Sequence, residues 1–124
     1  MVESKKRPYD LSDRLVAYAS EVIALTELLP NSRAGNHIAG QLLRSGTSPA
    51  PNYGEAEAAE SRKDSIHKMG ICQKELRESR VWLRILARRE MLRETQLQPI
   101  IVETEELIRI FGASIATAKK NASP

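Results

Sequence analysis

The sequence predicts an all-α fold: an up-and-down antiparallel four-helix bundle whose second helix is kinked near Pro49 and Pro51. Three observations carry that expectation. Apolar residues recur at intervals of three and four along most of the chain, the period of helices with one face turned inward. Aromatic residues are 4% against 41% hydrophobic overall, so aliphatic side chains must fill the core, which suits helix packed on helix better than a β-sandwich. Between Thr47 and Leu76, two prolines and a glycine interrupt a helical pattern and a long unbroken helical run follows. That order reads as a bent helix and then a straight one, with no strand between them.

The first helix has Asp10 or Ser12 as its cap, with Asp13 in the first turn, where the helix dipole favours negative charge. Leu11, Leu15, Ala19, Val22, Thr26 and Leu29 form its stripe, flanked by Val16 and Ile23, and Pro30-Asn31-Ser32 ends it. A second helix starts between Ser32 and Asn36 and runs through Ile38, Leu42 and Leu43. Pro49 and Pro51 each remove a backbone donor. Ser48-Pro49 also suits an N-cap followed by proline at the first helical position, so the expectation is a kink and restart rather than a loop.

The third helix spans about Arg62 to Arg89, capped by Ser61, with Met69, Cys72, Leu76, Ser79, Leu83 and Leu86 as its stripe. Ile71, Val81, Trp82 and Ile85 fall well away from that stripe, where a helix of a single-layer bundle should carry charge. Scattered surface apolars are one reading. The sharper one is an oligomer interface, so that this helix is buried once by its own bundle and once by another subunit, with Trp82 as anchor. The last helix has Thr95 or Gln98 as cap and Pro99 in its first turn. Its face is Leu97, Ile100, Thr104, Leu107, Phe111, Ser114 and Ala118, and Lys119 and Lys120 suit the negative end of its dipole.

At 124 residues the chain is one domain. Its expected parts are a disordered arm over 1–8, the bundle over 9–120 and a frayed tail over 121–124. A net charge of +3 permits an anionic partner without demanding one, because 16 acidic residues interleave with 19 basic ones. The lone Cys72 excludes an internal disulfide. The start MVESKKRPYD lacks an apolar signal-peptide core, and no run approaches a membrane span of about 20 apolar residues. The expectation is a cytoplasmic protein with no membrane partner.

Catalytic chemistry finds little support. His37 and His67 sit in different helices with no Cys or carboxylate pattern placing a metal between them, and no Glu-x-x-His pair marks a di-iron bundle. Cys72 lies in the core stripe without a neighbouring base and reads as a small hydrophobe rather than a nucleophile. Gly46 and Gly54 are isolated and serve the kink or close helix packing; no phosphate-binding loop exists. Glu55, Glu57 and Glu60 lack a partner base and read as ion-pairing residues. No enzyme activity, metal or cofactor is expected.

The basic residues say more. Between Arg77 and Arg93 there are six arginines (77, 80, 84, 88, 89 and 93) against two glutamates, 78 and 90. Arg77, Arg84 and Arg88 align on one face, with Lys63 and Lys74 nearby. Cations at a helix C-terminus complement its dipole, which is the plain explanation. The functional one is that arginine grips phosphate bidentately, which makes Lys74, Arg77, Arg84 and Arg88 candidate contacts for RNA or DNA. No aromatic platform accompanies them, so such binding should follow the backbone and ignore base sequence. A protein-interaction scaffold without nucleic-acid binding is the alternative.

Tyr9-Asp10-Leu11-Ser12, Leu28-Leu29-Pro30, Gln41-Leu42-Leu43-Arg44-Ser45 and Thr47-Ser48-Pro49-Ala50-Pro51-Asn52 together resemble the bacterial four-helix-bundle family named for intervening sequences in large-subunit ribosomal RNA genes. The resemblance runs from about Tyr9 to Leu92 and includes Ser61-Arg62-Lys63 at the start of the third helix. In the most characteristic stretch Ser48, Asn52 and Glu55 match by position. This chain departs with Pro49 ahead of the usual proline, Gly54 for alanine and Ala56 for glycine. The resemblance implies an up-and-down bundle that assembles as a homopentamer. One branch, the accessory protein of diversity-generating retroelements, binds a reverse transcriptase and nucleic acid, which implies a nucleic-acid enzyme as partner. The resemblance also gives Ser48, Asn52 and Glu55 a structural duty, hydrogen-bonding backbone groups that the proline kink leaves unpaired.

Overall fold

The structure is a computed structural model and describes residues 10–122. The arm over 1–8 lies outside the described residues. Helix α1 (Leu11–Thr26) begins at Asp10, whose carboxylate accepts the Asp13 amide at 3.3 Å, so Asp10 and not Ser12 is the cap. Helix α2 (Arg33–Thr47) is capped by Ser32, whose Oγ accepts the Gly35 amide at 3.0 Å. The tight entry into α2 requires glycine at 35: a Cβ there would lie 2.0 Å from the Pro30 carbonyl oxygen.

Helix α3 (Pro49–Glu57) follows after Ser48 alone, and Ser48 keeps helical angles, φ −70° and ψ −37°. The Asn52 amide reaches back to the Ser48 carbonyl at 3.2 Å. Thus α2 and α3 are two limbs of one bent helix. The missing donors of Pro49 and Pro51 would have addressed the carbonyls of Ser45 and Thr47, which localises the break in the ladder. Asn52 does not bridge those carbonyls. Its side-chain amide donates to the Ser48 carbonyl and the Ser48 Oγ, both at 3.0 Å. Glu55 leaves the kink altogether and pairs with Lys68 at 2.6 Å.

Helix α4 (Arg62–Arg88) is capped by Ser61, whose Oγ accepts the Asp64 amide at 3.1 Å. It ends in a Schellman pattern: the Glu90 amide bonds to the Ala87 carbonyl at 3.1 Å and the Met91 amide to the Leu86 carbonyl at 3.0 Å. Glu90 occupies the left-handed position with φ 55°. Helix α5 (Glu94–Ala122) starts earlier than the sequence suggested. The Arg93 amide donates to Gln96 Oε1 at 2.9 Å, half of a capping box, so neither Thr95 nor Gln98 is the cap. Pro99 consequently lies in the second turn. At the other end α5 runs past Lys120 through Ala122.

The four helices, with the second bent, form an all-α bundle without strands among the described residues. α1 packs on α2, α3 and α5, and α4 packs on the same three, so α1 and α4 stand diagonally opposite and do not touch along their backbones. Between them lie fully buried Leu15, Val22, Leu42, Leu76, Leu83 and Phe111. Three of the seams also have a polar clasp. Arg14 grips Glu103 through two bonds of 3.1 and 2.8 Å between α1 and α5. Arg44 of α2 pairs with Glu75 and Glu78 of α4, and Gln73 of α4 donates to the Ile108 carbonyl of α5 at 3.1 Å. Among the described residues no helix is long and apolar enough to cross a membrane.

Candidate functional site

α4 has a buried stripe and an open back. Met69, Cys72, Leu76, Ser79, Leu83 and Leu86 are buried. α5 lies along one flank of that stripe and the bent helix along the other. At 3.6 residues per turn, Arg77, Arg84 and Arg88 fall within roughly 40° of arc on the open side, toward the α5 flank. Ile71, Trp82 and Ile85 centre roughly 110° further round, toward α2, with Val81 and Lys74 between the two groups.

The arginines of the basic group are unencumbered, while Lys74 lies near enough to Glu78 to help keep that carboxylate charged. Lys74, Arg77, Arg84 and Arg88 are all exposed, and none has an ion-pair partner among the described residues. Arg44 is different, although it also borders α4. Its guanidinium is committed to Glu75 and Glu78, and that contact with Arg44, then the Trp82 indole, holds the Glu78 carboxyl below its ordinary range. One glutamate that could have neutralised the arginines of α4 is therefore already occupied. Arg80 is only half exposed.

The apolar group divides. Trp82 is half-buried against the core, donates from Nε1 to Glu78 Oε2 at 3.0 Å, and meets His37 of α2 edge-to-face with ring centroids 5.8 Å apart. Ile85 likewise packs in part against its own bundle. Ile71 and Val81 stand outside the packed cluster, and Val81 is 49% exposed. Val81, Ile85, Arg84, Arg88 and Arg89 line one shallow groove of about 480 Å³, and His67, Gly70, Ile71 and Lys74 line a second of about 290 Å³ two turns away. Aliphatic and basic side chains thus share one surface.

The sequence reading missed a cleft at the end of the bundle. Leu28, Met91, Leu97 and Ile101 line it with Glu90, Arg93 and Glu94, and its volume is about 670 Å³. It exists because α1 stops short of the α4–α5 turn, a matter of relative helix length that no local pattern reveals. Among the described residues, no group of three or more His, Cys, Asp or Glu could hold a metal. Cys72 is fully buried and donates to the Pro49 carbonyl at 3.4 Å, and burial pushes its thiol up to about 12. His37 packs on Trp82, far along the sequence from His67 on α4.

A comparison with curated proteins yields no match. Among solved structures, the fold is similar to the crystal structure, at 1.70 Å, of a protein of unknown function from the S23 ribosomal protein family of Bacteroides thetaiotaomicron. The TM-score is 0.80 and the identity 33%, over 85% of this chain and 97% of that one. The family model described as 23S rRNA-intervening sequence protein matches residues 9–113, taking in the capped first helix, the proline bend and all of α4. The chain belongs to the 23S rRNA-intervening sequence protein family.

Proposed function

We propose that this chain is a non-catalytic homo-oligomer, a ring of five, that acts as an accessory protein by binding nucleic acid along its phosphate backbone. The observation that carries the reading is the exposed set Lys74, Arg77, Arg84 and Arg88 on the open side of α4, its three arginines without an ion-pair partner among the described residues. Guanidinium groups in that state match phosphate geometry and lose little on transfer from water to an anion. The number five comes from the family resemblance. A ring of five raises the charge from +3 to roughly +15 and repeats the patch around the circumference. The absence of catalysis is supported by the fate of the two most displaced groups: Tyr18 and Cys72 are shut in the core and held neutral. Localisation in the cytoplasm and a nucleic-acid enzyme as partner belong to the same proposal.

Electrophoretic shifts with single- and double-stranded RNA and DNA test the binding. Expected is a shift at low salt that fades steeply as salt rises, whatever the base sequence. No shift with any probe at low salt sinks it. Sedimentation tests the assembly: Val81→Glu should disperse the wild-type ring. The second reading, a protein-interaction scaffold, is favoured by the cleft under the α4–α5 turn, where Leu28, Met91, Leu97 and Ile101 are rimmed by charged and amide side chains. It predicts a partner retained at high salt and after nuclease treatment.

A further inference from the structure

The outer side of α1 is as unusual as that of α4. From Leu15 to Thr26 the helix carries a single charged residue, Glu21. Leu15, Tyr18, Val22 and Leu25 face the core, yet Val16 is 58% and Ile23 44% exposed, and Ala17, Ser20 and Ala24 lie exposed beside them. A helix covered on one side only should carry charge across that outer arc. Here charge stands on that arc only at the two ends of the helix, Asp13 in the first turn and Glu27 at the C-cap, with Glu21 at its rim, and none of the three has an ion-pair partner among the described residues.

We propose that this face of α1 docks on the open face of α4 of a second copy of the chain, head to tail. The inference rests on the homo-oligomer reading above and names its two surfaces. Charge decides the pairing. Two α1 faces placed together would set Glu21 and its acidic neighbours against their own kind, and two α4 faces would oppose arginines to arginines. α1 against α4 instead offers carboxylates to cations, while Ala17, Ser20 and Ala24 leave a shallow channel for Val81 and Ile71. One molecule cannot make this contact with itself, since α1 and α4 stand diagonally opposite. Contact between unlike faces propagates from copy to copy and closes into a ring when the rotation allows. An odd-numbered ring contains only such contacts. Lys74 and Arg88, nearest the aliphatic strip, then meet the neighbour's carboxylates, whereas Arg77 and Arg84 on the α5 flank stay open to phosphate.

Two variants separate the faces: Ile23→Arg blocks α1 and Val81→Glu blocks α4, both at exposed positions, with circular dichroism confirming the helix content of each. By native mass spectrometry each alone should be monomeric under conditions where the wild type is assembled. Mixed in equal amounts, they should form a two-chain species and nothing larger, because one intact α1 face meets one intact α4 face. The pairing is overturned if the mixture yields no two-chain species, if either variant dimerises alone, or if Ile23→Arg assembles like the wild type. In that last case a monomeric Val81→Glu would leave the oligomer itself standing. A wild type that stays monomeric removes the oligomer and the pairing together.

Discussion

The Oγ of Ser45 lies 2.8 Å from the Oγ of Ser79, and neither residue has any exposure to solvent. A second pair completes the layer: the Tyr18 hydroxyl is 2.6 Å from Thr104 Oγ1, which in turn donates to the Ile100 carbonyl at 2.6 Å. Tyr18 also interacts with Ser79. The layer therefore takes one hydroxyl from each of the four helices, α1, α2, α4 and α5. Aliphatic surfaces slide past one another at small cost. A run of directional bonds buried in the core resists such a slip, because a shifted helix would stretch or break them. The layer pins the register of the bundle.

The two serines should behave as a coupled pair. Ser79→Ala should destabilise the chain by about 0.5–1.5 kcal/mol, since it removes the 2.8 Å partner of the Ser45 hydroxyl and leaves that group only the 3.5 Å contact to the Leu42 carbonyl. Ser45→Ala with Ser79→Ala should cost less than the two single changes summed. Urea unfolding of the two singles and the double measures the coupling; simple additivity would mean the contact is incidental.

Two buried acids of the core, Tyr18 in this layer and Cys72 outside it, set an alkaline limit. Burial pushes the Tyr18 hydroxyl from 10.0 to about 12 and the Cys72 thiol from 9.0 to about 12. Both acids have folded values above their unfolded ones, so the unfolded chain releases protons first as pH rises. Their contribution is complete below the unfolded values and is lost as pH climbs from about 9 to about 12. Thermal melts across that range should fall in Tm. In Tyr18→Phe the starting Tm should be lower, through the lost bond to Thr104, and the decline with pH shallower.

Much of the fold is written locally. Ser61 caps where the sequence places a cap, α2 starts inside the window from Ser32 to Asn36, and the buried stripe of α4 is the one the period predicts. Ser79 and Thr104 also appear on those stripes, but nothing local says that they meet Ser45 and Tyr18, because the meeting depends on the relative height of four helices. The environment of Trp82 is another matter of neighbouring helices. Its position on the wheel points away from the stripe, yet its long side chain lies back over α2 to reach His37, while its indole finds Glu78 one turn earlier. The arginine face was legible as a spacing. Its freedom from ion pairs was not, since that depends on Arg44 arriving from another helix to occupy Glu78.

Glu90 holds the left-handed position at the end of α4, φ 55°, where a side chain costs roughly 1 kcal/mol against glycine. Glu90→Gly should accordingly raise stability by about 0.5–1 kcal/mol, the added freedom of the unfolded chain taking back part of the gain. Chemical denaturation reads it directly. A loss of stability would show that the Glu90 side chain makes a contact worth more than the strain.

Gly46 and Gly54 lie in the two limbs of the bent helix and should respond oppositely to alanine. A Cβ at Gly46 would sit 2.7 Å from both methyls of Val22 on α1, so glycine there lets α1 and α2 approach closely. A Cβ at Gly54 would meet nothing within 4 Å. Gly54→Ala should gain about 1 kcal/mol from helix propensity. Gly46→Ala should lose about 1–3 kcal/mol by overpacking despite the same propensity gain. Adding Val22→Ala to Gly46→Ala should recover part of that loss, which identifies the methyls as the obstacle.

The last expectation contrasts arginines that differ in freedom rather than in type. Arg77 and Arg84 have no ion-pair partner among the described residues, whereas Arg44 is held by Glu75 and Glu78. A free guanidinium that takes a phosphate adds to the counterions released on binding; one already neutralised adds none. Plotted as log affinity against log salt, Arg77→Ala and Arg84→Ala should each shallow the slope by about 1 for duplex DNA and weaken all sequences alike. Arg44→Ala should leave the slope where it is. It should instead cost a little stability, by releasing Glu78 from its place beside the Trp82 indole. Equal slopes for all three variants would show that the open face of α4 is a solvated surface and not a phosphate grip.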